Sequence, residues 1–162
     1  MIISLIGMTG AGKTTVGKIL GKKLGFDFFD SDEIIRRNTQ KPPTEIFGLY
    51  GEKFFRSIES ETLKKILAQN KNIVLACGGG AVLCEKNREM LKQNSFVVWL
   101  VRPVEEILKN PEVLYRPPII GSPLIYMRIF KARKSLYAQT CRLKIGFTDA
   151  NEAAEKIAKV FT

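Results

Sequence analysis

The run Ile2-Ile3-Ser4-Leu5-Ile6-Gly7-Met8-Thr9-Gly10-Ala11-Gly12-Lys13-Thr14 lies at the head of the chain. Ile2–Ile6 is a short, mostly apolar stretch ended by glycine, which predicts a buried strand. After it, Val16, Ile19, Leu20 and Leu24 recur at helical spacing. Between strand and helix, Gly7–Thr14 fits G-x-x-x-x-G-K-[ST], the phosphate loop in the context that motif requires. Its glycines let successive N–H groups point inward and form an anion nest, to which the positive end of the following helix adds. Lys13 is expected to reach the β- and γ-phosphates, and the Thr14 hydroxyl to ligate Mg²⁺. Gly10, Ala11, Gly12, Lys13, Thr14 and Thr15 form the nucleotide-binding set.

Outward from this loop, strand-like and helix-like segments alternate. Phe26–Phe29, Ile73–Ala76, Phe96–Val101 and Arg142–Ile145 read as further strands. Phe96–Val101 is apolar on both faces, as buried parallel strands are. Ser31–Asn38, Thr44–Gln69 (broken near Gly51), Glu85–Lys92, Val104–Lys109 and Pro123–Gln139 read as helical. Asp149 and Glu152 have capping-box spacing for a last helix. The expected fold is α/β: a three-layer αβα sandwich around a five-stranded parallel sheet. One domain covers residues 1–162, with a substrate-binding helical region at about 32–60. Residues 110–123 hold four prolines and one glycine, which excludes regular structure and suggests a flexible lid.

Composition narrows the chemistry. The chain has no histidine, so Ser-His-Asp and Cys-His catalysis and His-ligated metals are excluded. Three cysteines without CxxC spacing read as reduced thiols. The net charge of +10 suits anionic partners, but the lysines are scattered and no nucleic-acid signature appears. No run crosses a bilayer and the N-terminus lacks signal-peptide features, so the expectation is a cytoplasmic monomer with no membrane or nucleic-acid partner.

Parallel α/β sheets carry ligands at the carboxyl ends of their strands. Asp30-Ser31-Asp32 follows the second strand there and offers two carboxylates, one for a metal and one to orient a hydroxyl in phosphoryl transfer. Ser31 or Asp32 also suits a helix N-cap. Arg56 lies near bulky aromatics with Glu59 at i+3 to orient it, which could serve a carboxylate, although taken alone the spacing reads as a surface ion pair. Gly78-Gly79-Gly80 permits close backbone approach to a ligand. Arg116-Pro117-Pro118 places an arginine in the lid, where it can close over transferring phosphates. Arg133, followed by Tyr137 at i+4, is a second candidate anion ligand or simply a solvated side chain.

In this order, Gly7–Thr14, Asp30-Ser31-Asp32, Phe55-Arg56-Ser57-Ile58-Glu59, Gly78-Gly79-Gly80-Ala81, Arg116-Pro117 and Arg133-Lys134-Ser135-Leu136-Tyr137 resemble the shikimate kinases. These belong to the nucleoside-monophosphate-kinase-like branch of P-loop proteins. The resemblance spans nearly the whole chain. It implies Mg-ATP-dependent phosphorylation of the shikimate 3-hydroxyl, on the route to chorismate and aromatic amino acids. It further implies that Asp32, Arg56, Gly78, Gly79, Gly80 and Arg133 bind shikimate, that Thr14 and Asp30 stand by the metal, and that Lys13, Asp32 and Arg116 carry catalysis. Arg116 would also meet the nucleotide. Ala76 stands where the family usually has serine or threonine, Pro118 replaces a leucine, and no basic residue lies around Phe147–Asn151. Rival readings are a gluconate-type or other small-polyol kinase and a degenerate nucleotide-binding protein.

Overall fold

The structure, a computed structural model, describes residues 1–115 and 122–162. Five strands form one sheet: β1 (Ile2–Ile6), β2 (Asp27–Asp30), β3 (Ile73–Ala76), β4 (Phe96–Val101) and β5 (Leu143–Gly146). Their order is β2-β3-β1-β4-β5, with every neighbouring pair parallel. The three inner strands are covered on both sides, which is why their sequences are continuous apolar runs. Edge strands β2 and β5 are partly exposed and carry Asp27, Asp30 and Lys144.

Among the described residues, seven α-helices enclose the sheet: α1 (Lys13–Leu24), α2 (Ser31–Thr39), α3 (Pro43–Leu67), α4 (Glu85–Asn94), α5 (Val104–Leu108), α6 (Pro123–Thr140) and α7 (Ala150–Ala158). Alternation along the strands separates two cores. Ile3, Leu5, Val74, Val98 and Leu100 meet Val16 and Leu20 of α1 and Ala153, Ala154 and Ile157 of α7. The opposite side of the sheet packs Ile2, Ile6, Ile73, Leu75, Val97 and Trp99 against Leu63, Ile66, Leu91, Tyr126 and Tyr137 of α3, α4 and α6. This is the expected three-layer sandwich. Ile35, Ile46 and Phe55 make a separate small core that ties α2 to α3. The break expected near Gly51 is present as a left-handed residue (φ 83°, ψ 171°) inside α3.

Two local expectations need correction. Pro111–Tyr115, within the stretch expected to be irregular, forms a 3₁₀ helix. Proline is tolerated in a first helical turn, where its missing N–H costs nothing. The Asn110 Oδ1 accepts from the Glu112 N–H (3.0 Å), and Val113 is buried. At the last helix, Asp149 does accept from the Glu152 N–H (2.9 Å), but the Glu152 carboxylate pairs forward with Lys156 (2.5 Å). The cap is thus one half of a capping box, because an i,i+4 lysine takes the second carboxylate. Arg116, Pro117 and Pro118 lie outside the described residues. Among the described residues no helix is long and apolar enough to cross a membrane.

Candidate active site

All described loops singled out in the sequence open at the carboxyl edge of the sheet, around one cleft of about 830 Å³. Its walls include Gly10, Gly12, Lys13, Thr14 and Thr15 on one side. Asp30, Asp32, Arg56, Gly78, Gly79, Gly80 and Arg133 line the other. Ala11, also assigned to the nucleotide set, is buried beneath the loop.

The phosphate loop is shaped by backbone conformation. Gly10 and Gly12 have φ of 80° and 85°, which L side chains rarely adopt. Gly12 leads directly into α1, so the helix begins at the nest and its free N–H groups face the cleft. The Lys13 ammonium folds back on the loop and donates to the carbonyls of Gly7 (2.9 Å) and Met8 (2.8 Å). A polyphosphate entering the nest would find that ammonium already held within the loop. The Thr14 hydroxyl donates to Asp30 Oδ2 at 2.7 Å, which joins the two residues assigned to the metal. Mg²⁺ uses few protein oxygens and fills its octahedron with water and phosphate, so a hydroxyl beside a carboxylate fits it. Ala76 pairs in register with Asp30 and presents only a methyl group there.

The start of α2 differs from the sequence reading. Neither Ser31 nor Asp32 is the cap: Asp30 is, with Oδ1 accepting from the N–H groups of Asp32 (3.0 Å) and Glu33 (3.3 Å). One Asp30 oxygen therefore serves the helix and the other faces Thr14. Ser31 is buried and accepts from the Gly78 N–H (3.0 Å), fastening the triple-glycine loop to the end of β2.

Each glycine of that loop is crowded by a different neighbour. A Cβ on Gly78 would come 2.7 Å from Glu59 Oε1 and 3.0 Å from Asp32 Oδ1. One on Gly79 would meet the Thr9 hydroxyl at 2.7 Å. One on Gly80 would overlap the guanidinium of Arg56. Three consecutive glycines are needed because Glu59 and Arg56 of α3, Asp32 of α2 and Thr9 of the phosphate loop all close on one loop.

Arg56 is fixed from several directions. Its Nη1 donates to Glu59 Oε2 at 2.7 Å, and Glu52 stands 3.3 Å from Nε and Nη2. The guanidinium lies 5.5 Å and 5.3 Å from the ring centroids of Phe47 and Phe55. Glu59 is fully buried, so the surface-pair reading of these residues fails. Burial pushes the Glu59 carboxyl above the usual range, opposed by Arg56 and Arg133 and assisted by nearby Asp32. Arg133 is also buried, on α6, and its charge reaches both Glu59 and Tyr137. Two arginines thus converge on one pocket that also holds Asp32.

Two tyrosines of α6 hold the loops in place, and the sequence reading missed both roles. The Tyr137 hydroxyl donates to the Gly79 carbonyl at 2.6 Å, and the Tyr126 hydroxyl donates to the Thr9 carbonyl at 3.0 Å. Burial pushes the Tyr137 phenol up to about 12, so it remains a donor at working pH. The spacing Arg133-x-x-x-Tyr137 was the available signal, since it puts both residues on one helical face. Among the described residues, no cluster of three or more His, Cys, Asp or Glu forms a separate metal site.

The model for shikimate kinase matches residues 9–162 of this sequence. The chain belongs to the shikimate kinase family. A shikimate kinase from Clostridium botulinum (strain Eklund 17B / Type B) is 38% identical over 159 residues, covering 98% of this chain and 95% of the relative. One from Nitrosomonas europaea is 41% identical over 144 residues, 87% of this chain and 68% of that protein. Among solved structures, shikimate kinase from Acinetobacter baumannii in complex with shikimate superposes with a TM-score of 0.92 at 36% identity, covering 99% of this chain and 92% of that one.

Proposed function

We propose that this chain transfers the γ-phosphoryl group of ATP to the 3-hydroxyl of shikimate, on the route to chorismate and the aromatic amino acids. One observation carries the reading. Arg56, locked onto Glu59 and seated on Gly80, faces the phosphate loop across one cleft, with Arg133 and Asp32 beside it. An anionic polyol needs arginines for its carboxylate and an aspartate for its hydroxyls.

In this reading Arg56 and Arg133 pair with the shikimate carboxylate. Gly78, Gly79 and Gly80 let the ring lie close to the backbone, and Asp32 orients the attacking hydroxyl and accepts its proton. Lys13 and the N–H groups from Gly10 to Thr15 hold the polyphosphate in line with that hydroxyl. Arg116 closes over the phosphates from the lid at about 110–123. Thr14 and Asp30 hold Mg²⁺, which when bound neutralises charge on the phosphoryl oxygens. Transfer is direct, so no covalent intermediate and no histidine is required. The enzyme acts as a cytoplasmic monomer; light scattering tests the oligomeric state.

A coupled assay for ADP with shikimate, gluconate and other small polyols tests the assignment. Turnover confined to shikimate is expected. Turnover of gluconate alone would replace the reading with the rival polyol kinase, and ATP binding without any turnover would favour a degenerate protein.

A further inference from the structure

Four cationic residues that line the cleft, Lys18, Arg36, Arg37 and Arg102, are not used by the proposed mechanism; Arg36 and Arg37 pair with Glu33 and Lys18 is exposed, which leaves Arg102. Arg102 follows β4 and precedes α5, and it lines the same cleft as Gly10, Gly12 and Lys13. It also borders the small apolar hollow beneath the phosphate loop, lined by Met8, Ala11 and Tyr126. Its Nε is buried and has no hydrogen-bond partner among the described residues. A buried donor left unmade is costly, so such a group calls for a reason. Glu106, one helical turn on, feels the charge of Arg102, but its carboxylate is engaged by Lys109 at 2.6 Å. Among the described residues Arg102 makes no ion pair. The guanidinium is therefore held at the wall of the cleft, half-buried, with Glu106 near it but engaged by Lys109 and with no ion pair among the described residues.

We infer that Arg102 is a ligand for the nucleotide polyphosphate, approaching it from the β4 side of the loop while Lys13 holds it from within. This rests on the kinase reading above. A planar guanidinium with a desolvated N–H suits phosphate oxygens, which accept charge-assisted hydrogen bonds. The position explains why an arginine is kept beside apolar neighbours. It lines the apolar hollow together with Val104 and Ile107, and its head is left for an anion that enters with the substrate.

Calorimetric titration of the wild-type chain and of Arg102→Gln tests this, with Mg-ATP, inorganic tripolyphosphate and shikimate as separate ligands. The variant should bind both ATP and tripolyphosphate about tenfold more weakly, with shikimate binding and melting temperature unchanged. Unchanged affinity for both polyphosphates would overturn the inference. A loss for ATP without a loss for tripolyphosphate would move Arg102 to the base and equally overturn it. If Arg102→Gln melts early or loses shikimate binding, Arg102→Lys replaces it in the comparison. That variant keeps the charge but loses the fork, and a loss of about threefold for both polyphosphates is then expected. Failure of the kinase reading would look different, because the wild-type chain itself would bind no ATP, or would bind it and turn over no shikimate.

Discussion

The two halves of the cleft are built by different means. The proposed nucleotide half is a contiguous loop, Gly7–Thr14, whose backbone is turned by glycines of positive φ and which would bind chiefly through its N–H groups. The acceptor half is made of side chains from α2, α3 and α6 that converge on the loop after β3. A loop encodes its own geometry. A convergent pocket depends on packing, here on Glu59 and Gly80 holding Arg56 and on Tyr137 holding Gly79. Substitutions in the first half should damage nucleotide handling, and those in the second should damage the affinity for shikimate.

The largest effect is expected from Lys13→Ala. It removes the ammonium from the nest and should lower kcat by about 10³-fold with little change in the KM for shikimate. Steady-state kinetics checks this, and a selective rise in the shikimate KM would break the division between the halves.

The adjacent glycines separate the halves within one loop. In Gly80→Ala, the new methyl group displaces the Arg56 guanidinium. The KM for shikimate should rise about 100-fold while ATP affinity stays close to wild type. In Gly79→Ala the methyl presses instead on Thr9 of the phosphate loop, so ATP affinity should suffer at least as much. If both variants show the same profile, the loop acts as one unit and the comparison fails. Arg56→Ala and Arg133→Ala should each raise the shikimate KM by about 10- to 100-fold, read in the same assay.

Smaller effects sharpen the picture. Tyr137→Phe removes the donor to Gly79 and should cost about 1 kcal/mol of stability, a shift of about 2–4 °C in Tm. The Glu59 carboxyl is raised in the folded state. Its protonated form therefore favours folding, and stability should decline as pH rises from the unfolded value near 4.5 through the folded pKa. Melting curves over the acid range should show that decline in the wild-type chain and a flatter profile in Glu59→Gln.

The contrast also governs what was legible in the sequence. Ile2–Thr14 announced strand, nest and helix because each signal is local. The inner strands were plain because burial on both faces leaves uninterrupted apolar runs. Arg56 with Glu59 was visible as a spacing, yet their burial was not, since it depends on Phe47, Phe55 and Gly80 arriving from elsewhere. The cap of α2 was misplaced by one or two residues, because Asp30, Ser31 and Asp32 are all capable caps and only the turn out of β2 selects among them. The hydroxyls of Tyr126 and Tyr137 reach loops more than 50 residues away, which no local pattern encodes.

ADP release with shikimate and with its methyl ester addresses the central claim most directly. The account predicts ready turnover of shikimate and a KM about 100-fold higher for the ester, with kcat little changed, because Arg56 and Arg133 lose their carboxylate. Equal KM values for acid and ester would contradict it.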